Sequence, residues 1–169
     1  MASTLILGGA RSGKSRRALA LAEQLGADRV FVATAEALDE EMAGRIARHQ
    51  AERDAGWETI EVPLDLTDAL SRGDLRDKVC VVDCLTLWLS NLMHHQRDVA
   101  LETENLCAHL AAQSGTVILV SNEVGMGLVP ESPLGRDFRD AQGRLNQKIA
   151  DVCDVVEFVA AGLPINLKG

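Results

Sequence analysis

A glycine-rich segment near the start of the chain carries the residues best suited to phosphate chemistry. Its spacing is G-x-x-x-x-G-K-S, which begins at Gly8 and ends with Gly13, Lys14 and Ser15. Glycines let backbone N–H groups turn towards phosphate oxygens, the lysine reaches the β- and γ-phosphates, and the serine hydroxyl binds Mg²⁺. The segment predicts a phosphate-binding loop (P-loop) for a nucleoside triphosphate. The alternative is a glycine-rich turn with an incidental lysine.

A second candidate is Asp83, which follows the apolar run VCVV at 79–82. P-loop proteins place the aspartate that holds Mg²⁺ at the end of such a strand. The other interpretation is a carboxylate that caps the next helix. The residue that follows is Cys84 and not a second carboxylate, which favours group transfer over hydrolysis. We expect Ser15 and Asp83 to be the metal-binding residues.

A set of polar side chains recurs every fourth residue within 38–55: Glu41, Arg45, His49 and Arg53. A helix would place all four on one face. One interpretation is a solvated face with Glu–Arg pairs. The other is chemical, because two flanking arginines keep an imidazole neutral and attract phosphate. His49 is therefore a candidate nucleophile towards phosphorus, or a hydrogen-bond donor to a phosphate.

The segment 122–131 and the helix after it carry further candidate groups. Glu123 and Glu131 either orient a substrate hydroxyl or a cofactor, or belong to an ordinary turn. The following helix begins with charged side chains that either clamp phosphate or form surface salt bridges, namely Arg136, Arg139, Asp140 and Arg144. The remaining histidines have no comparable neighbours in the sequence and are expected at the surface: His94, His95 and His109.

Composition narrows the classes of function. The 169 residues carry a net charge of −8 and 3 % aromatic residues, which argues against nonspecific nucleic-acid binding. The four cysteines form no Cys-x-x-Cys pair, a pattern that fits a reducing cytosol, and Cys80 and Cys84 are expected to pack as small apolar residues. The apolar region 79–93 is interrupted by Asp83 and is too short for a membrane span. We expect one cytoplasmic domain over residues 1–169.

The elements that must position these residues alternate between strands and helices. Strands are predicted at 4–7, 30–34, 57–62, 78–84, 116–121, 155–160 and 165–167. Helices are predicted at 15–25, 38–55, 65–71, 86–95, 99–113 and 134–151. This order predicts an α/β fold with a mostly parallel sheet and helices on both faces. Ligands then bind beyond the carboxyl ends of the strands, after Leu7, Thr34, Cys84 and Ser121.

Five segments are more specific together than any one alone: GGARSGKSRRA, ATAEALDEEMAGRIARHQAER, VVDCLTLWLSNLM, SNEVGMGLVPE and RDFRDAQGRLNQKIA. In order and spacing they resemble the bifunctional adenosylcobinamide kinase / adenosylcobinamide-phosphate guanylyltransferase family, over essentially the full chain. The resemblance implies a RecA-like P-loop fold and a homotrimer. It also implies phosphorylation of adenosylcobinamide with ATP or GTP in the presence of Mg²⁺. GMP is then transferred from GTP through a GMP–histidine intermediate, which yields adenosylcobinamide-GDP and pyrophosphate.

The resemblance assigns the intermediate to His49, and Lys14 would act beside it on the phosphates. Implied nucleotide contacts are Gly8, Gly9, Ala10, Arg11, Ser12, Gly13, Lys14, Ser15, Ala33, Thr34, Ala35, Gln50, Ala51, Glu52, Arg53, Glu61 and Asp83. Two other functions stay open from the residues alone. One is a small-molecule P-loop kinase without guanylyl transfer, and the other is a nucleotide-dependent switch without catalysis.

Overall fold

Seven strands form one sheet in the computed structural model, which describes residues 3–36 and 56–169. The strands are β1 (Ser3–Gly8), β2 (Arg29–Ala33), β3 (Trp57–Glu61), β4 (Val79–Asp83), β5 (Thr116–Asn122), β6 (Val155–Ala160) and β7 (Leu163–Lys168). Their order across the sheet is β3-β2-β4-β5-β1-β6-β7. All neighbours are parallel except β6 and β7. The predicted strands and the mostly parallel sheet are confirmed.

Five α-helices connect the strands in the described residues: α1 (Lys14–Leu25), α2 (Leu66–Leu70), α3 (Leu85–His94), α4 (Val99–Ala112) and α5 (Pro133–Val152). A 3₁₀ turn at Gly73–Leu75 precedes β4. The ends of these helices agree closely with the predicted ones, whereas the helix predicted at 38–55 lies outside the described residues. None of the helices in the described part of the chain is long and apolar enough to cross a bilayer.

Two apolar layers cover the two faces of the sheet, as predicted. Successive side chains of a strand point to opposite faces. One layer packs Ile6 and Val81 against α1, and the other packs Leu5 and Val82 against α2 to α5. Burial on both faces explains why the central strands are continuous apolar runs.

The same alternation determines which side chains meet at the carboxyl edge. Ile6, Val81 and Val120 belong to the α1 layer. The residues two positions further along their strands, Gly8, Asp83 and Asn122, therefore point to the α1 face. Register places Gly8 beside Asn122, and Asp83 beside Val120. The end of β5 thus lies between the strand that leads into the P-loop and the strand that ends at Asp83.

Helix α3 lies along the carboxyl edge of the sheet. At its start, the Thr86 hydroxyl accepts a hydrogen bond from the Asn122 backbone N–H at 2.8 Å. Further along, the Asn91 side-chain amide donates to the carbonyls of Thr34 at 2.7 Å and Pro63 at 3.0 Å. One helix thereby ties together the segments that follow β2, β3 and β5.

The expectation that Cys80 and Cys84 pack as buried apolar residues is confirmed. Cys80, Cys84 and Cys153 are buried and free, and Cys107 is partly exposed. Burial raises the pKa of the Cys80, Cys84 and Cys153 thiols to about 11. Thiols with such a pKa stay protonated at neutral pH, so these residues contribute packing and not nucleophiles.

Candidate functional site: a phosphate-binding loop at the carboxyl edge

The P-loop connects β1 to α1, and close contacts require glycine at two of its positions. A Cβ on Gly8 would lie 2.5 Å from the Ser12 hydroxyl oxygen and 2.6 Å from the Val159 carbonyl oxygen. Gly13 has φ +98°, and a Cβ there would lie 3.1 Å from the Gly162 Cα. Both positions fit the predicted motif, since larger residues would push the loop away from its phosphate-binding shape.

Polar groups of the loop converge at the N-terminus of α1. The Lys14 ammonium donates to the Gly9 carbonyl at 3.0 Å, and Lys14 is only 9 % exposed. Ser15 follows in the first helical turn. The Ser12 hydroxyl oxygen is buried and has no hydrogen-bond partner in the part of the chain that the structure describes. An unpaired buried donor beside a lysine and a helix N-terminus suits a phosphate oxygen.

The hairpin between β6 and β7 supports the loop from the side, a contact that sequence reasoning missed. Gly162 donates its backbone N–H to the Ser12 carbonyl at 2.8 Å. Ala161 and Gly162 both have positive φ, +52° and +80°. Positive φ at both positions is typical of a two-residue hairpin turn. The dipeptide Ala-Gly between two short strands is a turn signal, but nothing local indicates that the turn would contact the P-loop.

Three predicted site residues end neighbouring strands at this edge. Ala33 of β2 pairs with Glu61 of β3 on one side and with Asp83 of β4 on the other. Ala33 is buried, Glu61 is exposed, and Asp83 is partly exposed. Ala35 follows, partly exposed, in the segment after β2. The structure therefore brings Ala33, Glu61 and Asp83 together on the face that α1 covers.

Ser15 and Asp83 supply the kind of oxygen ligands that Mg²⁺ prefers. Both belong to the α1 side of the sheet, and each is partly exposed at the carboxyl edge. In residues 3–36 and 56–169 no three His, Cys, Asp or Glu side chains cluster as a metal site.

Thr34 has a different environment from its predicted neighbours. It is fully buried, and its hydroxyl donates to the Cys84 carbonyl at 2.7 Å while it accepts from the Cys84 N–H at 2.8 Å. Its backbone N–H donates to the Asp83 carbonyl at 3.4 Å. Both hydrogen-bond donors of Thr34, its hydroxyl and its backbone N–H, are therefore already in use. Its side chain joins the ends of β2 and β4, and a nucleotide contact from Thr34 stays a prediction.

The charged residues around the β5–α5 loop make local contacts. Arg136 donates to the carbonyls of Pro130 at 3.0 Å and Glu131 at 2.7 Å, and Arg139 pairs with its neighbour Asp140. Glu123 accepts from the Gly125 N–H. Arg144 is exposed. These contacts favour the structural interpretation of Arg136 and Arg139 over the phosphate clamp, because carbonyls and a carboxylate already occupy their guanidinium groups.

His94 and His95 are exposed, as expected, and His109 is partly covered; two of the three have polar partners that the sequence did not indicate. His95 lies 3.0 Å from the Glu36 carboxylate, and His109 lies 3.2 Å from the Ser71 hydroxyl. Burial lowers the pKa of His109, which is partly covered. His94 is exposed and makes an edge-to-face contact with His95. Both pairings join segments distant in sequence, so no local pattern could indicate them.

The predicted nucleophile falls outside the described residues. His49 belongs to 37–55, as do Glu41, Arg45, Gln50, Ala51, Glu52 and Arg53. The roles predicted for them stay predictions. The other predicted nucleotide contacts, Gly8 to Ser15, Ala33 to Ala35, Glu61 and Asp83, all lie in or beside the carboxyl edge of the sheet.

A glycine-rich loop between a central strand and helix, with an aspartate ending a strand two places away, defines a P-loop nucleotide-binding protein. A solved structure agrees on the fold: the flagellar accessory protein FlaH of Methanocaldococcus jannaschii aligns with 99 % of this chain and 78 % of its own, with a TM-score of 0.57 and 14 % identity.

Sequence comparison then gives the family. The model of the family "Cobinamide kinase / cobinamide phosphate guanyltransferase" matches residues 4–167, and the chain belongs to this family of cobalamin-biosynthesis transferases. It is 48 % identical to the bifunctional adenosylcobalamin biosynthesis protein CobP of Pseudomonas aeruginosa, over 98 % of the chain and 96 % of that protein. It is 39 % identical to CobU of Salmonella typhimurium, over 97 % of the chain and 98 % of that protein.

Proposed function

We propose that this chain catalyses both reactions that its relatives' designation as bifunctional implies. It phosphorylates the aminopropanol hydroxyl of adenosylcobinamide with ATP or GTP, and it then transfers GMP from GTP to the new phosphate. The observation that carries the proposal is the match of the family model across residues 4–167, which encloses the whole P-loop site. The unpaired Ser12 hydroxyl beside Lys14 adds independent support for a phosphate ligand.

In the kinase reaction the P-loop holds the triphosphate through its backbone N–H groups and Lys14. The substrate hydroxyl attacks the γ-phosphorus in line with the bond to the leaving nucleoside diphosphate, that bond breaks, and the hydroxyl proton passes to an oxygen of the transferred phosphoryl group. Lys14 stabilises the charge that spreads over the phosphoryl oxygens, and the N-terminus of α1 adds a fixed positive field. Ser15 and Asp83 would hold Mg²⁺, which when bound supplies further neutralisation of that charge.

In the guanylyl transfer His49 is the nucleophile. Its ring nitrogen forms a bond to the α-phosphorus of GTP, the bond from that phosphorus to the bridging oxygen breaks, and pyrophosphate leaves. An oxygen of the substrate phosphate then attacks the same phosphorus, so the P–N bond breaks and the imidazole is restored. The P-loop holds the departing pyrophosphate, and Gln50 to Arg53, Ala33 to Ala35 and Glu61 contribute to binding the nucleotide.

The proposal includes a cytoplasmic homotrimer, as the family resemblance implies. Residues of a neighbouring copy would then complete the corrinoid site. Light scattering coupled to size-exclusion chromatography measures this directly, with a mass near three times 18.2 kDa as the expected result. A monomer that carries out both reactions would contradict the trimer and leave the chemistry intact.

The deciding experiment follows radioactivity from GTP labelled at the α-phosphorus. Wild-type protein with Mg²⁺ should retain label after denaturation, and the label should be labile to acid and stable to alkali, as a phosphoramidate is. His49→Ala should retain none. His94→Ala, which changes an exposed histidine, is the matched control and should label like the wild type. Wild-type protein that phosphorylates the corrinoid without taking up label would favour the kinase without guanylyl transfer.

A further inference from the structure

Asn122 ends β5 at the centre of the site, and its backbone is held from two sides. Its N–H donates to the Thr86 hydroxyl of α3 at 2.8 Å, and its carbonyl accepts from the Asn146 side-chain amide of α5 at 3.1 Å. Thr86 and Asn146 are 8 % and 6 % exposed, and both bonds are partly buried. Bonds of this kind give Asn122 one well-defined position.

A closed network of buried side chains reinforces this arrangement. The Ser121 hydroxyl donates to the Asn146 side-chain oxygen at 2.7 Å. The Gln142 amide donates to the Ser121 hydroxyl at 3.0 Å and to the Asn146 oxygen at 2.9 Å. Ser121 and Gln142 are fully buried. The network points to the α5 face, as the alternation along β5 requires, which leaves the Asn122 side chain on the opposite, α1 face.

The side-chain oxygen of Asn122 makes no hydrogen bond to the part of the chain that the structure describes. That oxygen is buried. Leaving such an acceptor unpaired is energetically unfavourable. A costly unpaired group that is held rigidly inside a ligand site commonly serves the ligand. The structure assigns no stabilising role that would offset this cost.

The chemistry of the amide oxygen limits which ligand groups can form a hydrogen bond with it. It only accepts hydrogen bonds, and phosphate oxygens also only accept, so a bare phosphate does not satisfy it. In the proposed kinase reaction, the hydroxyl that attacks the γ-phosphorus is a ligand group that donates from oxygen. Asn122 lies between Gly8 at the start of the P-loop and the strand that ends at Asp83, which is where phosphoryl transfer takes place.

We propose that Asn122 positions the acceptor hydroxyl of the kinase reaction through its side-chain oxygen. The inference rests on the proposed function. An amide does not take up the proton, so Asn122 orients the alcohol and contributes through geometry. The same residue has no such task when His49 attacks the α-phosphorus, because no hydroxyl takes part in that step. Asn122 should therefore matter for one reaction and not for the other.

The test compares three variants of the full chain. Asn122→Leu keeps the branched shape and removes the acceptor, Asn122→Ala is a smaller side chain in case the bulkier leucine prevents folding, and Asn105→Ala changes an exposed asparagine on α4 as the matched control. Three quantities are measured: kcat/KM for corrinoid phosphorylation, the rate of GMP–enzyme formation from labelled GTP, and the Kd of GTP with and without Mg²⁺. Circular dichroism and Tm identify variants that fold.

We expect both Asn122 variants to lower kcat/KM for phosphorylation by about 10- to 100-fold, which corresponds to one lost buried hydrogen bond. GMP–enzyme formation and both Kd values should stay within about twofold of the wild type, as in Asn105→Ala. Unchanged phosphorylation in a folded variant would overturn the inference. An equal loss of GMP–enzyme formation would also overturn it, because the partner of Asn122 would then be the nucleotide. A loss confined to the Mg²⁺-dependent part of GTP affinity would overturn it too, because the partner would then be metal-bound water. Wild-type protein without any corrinoid phosphorylation would instead overturn the proposed function.

Discussion

At the scale of single residues, the P-loop has no room for a Cβ atom at Gly8. A Cβ on Gly8 would lie 2.6 Å from the carbonyl oxygen of Val159 in β6, which is backbone within the sheet and cannot move aside. We expect Gly8→Ala to lower the free energy of unfolding by about 1–3 kcal/mol, as overpacking usually does. Nucleotide affinity should fall as well, because the loop must shift. Denaturant titration without nucleotide measures the first effect.

Gly9→Ala is the matched control for that loss of stability. It changes the adjacent glycine in the same way, and an added Cβ there meets no atom within 4 Å. We expect its midpoint of unfolding to equal that of the wild type. Equal destabilisation by the two variants would mean that the loop adjusts as a unit, and that the contact with Val159 is not what requires glycine at position 8.

At the scale of elements, helices and strands with a periodic sequence pattern were predictable, and contacts between residues distant in sequence were not. The apolar runs and amphipathic spacing predicted β1, β4, β5 and α5 with ends close to those observed. The position of α3 along the carboxyl edge depends on Asn91 and Thr86, which bond to backbone groups far away in sequence. Such bonds produce no periodic pattern in the sequence. For the same reason no sequence pattern indicated that the backbone of Cys84 occupies the hydroxyl of Thr34, whose nucleotide contact the family resemblance implied.

The connection between β5 and α5 makes a prediction at this scale. Asn146→Ala removes the bond to the Asn122 carbonyl and one hydrogen bond each from the buried Ser121 hydroxyl and Gln142 amide, which keep only their bond to each other. We expect the free energy of unfolding to fall by about 2–4 kcal/mol, the usual range for breaking a buried polar network. Gln147→Ala, on the exposed side of the same helix, should change it by less than about 0.5 kcal/mol. Equal effects would mean that helix propensity and not the network determines the loss.

At the scale of the whole molecule, parallel strands bring separate functional parts to one edge. The order β4-β5-β1 places the Asp83 strand and the P-loop strand on either side of Asn122. The β6–β7 hairpin reaches the loop from the other side through Gly162. The P-loop is one continuous segment, whereas Asp83 and Asn122 come from two other strands. A ligand that contacts the loop, β4 and β5 together therefore stabilises the entire fold.

That coupling predicts a thermal shift. A ligand at 100 times its Kd stabilises the folded state by about 2.7 kcal/mol, which for a chain of this size raises Tm by roughly 5–10 °C. We expect GTP with Mg²⁺ to produce this shift in the wild type, and EDTA to reduce it if Ser15 and Asp83 hold the metal. Lys14→Ala should abolish most of the shift, because Lys14 is the buried cation at the loop. Lys78→Ala, which removes a partly exposed ion pair with Glu58, should retain the shift in full.

A shift that survives Lys14→Ala would mean that the nucleotide binds away from the P-loop. A shift of equal size with EDTA would remove the metal from the binding step and leave it a role in the chemistry alone.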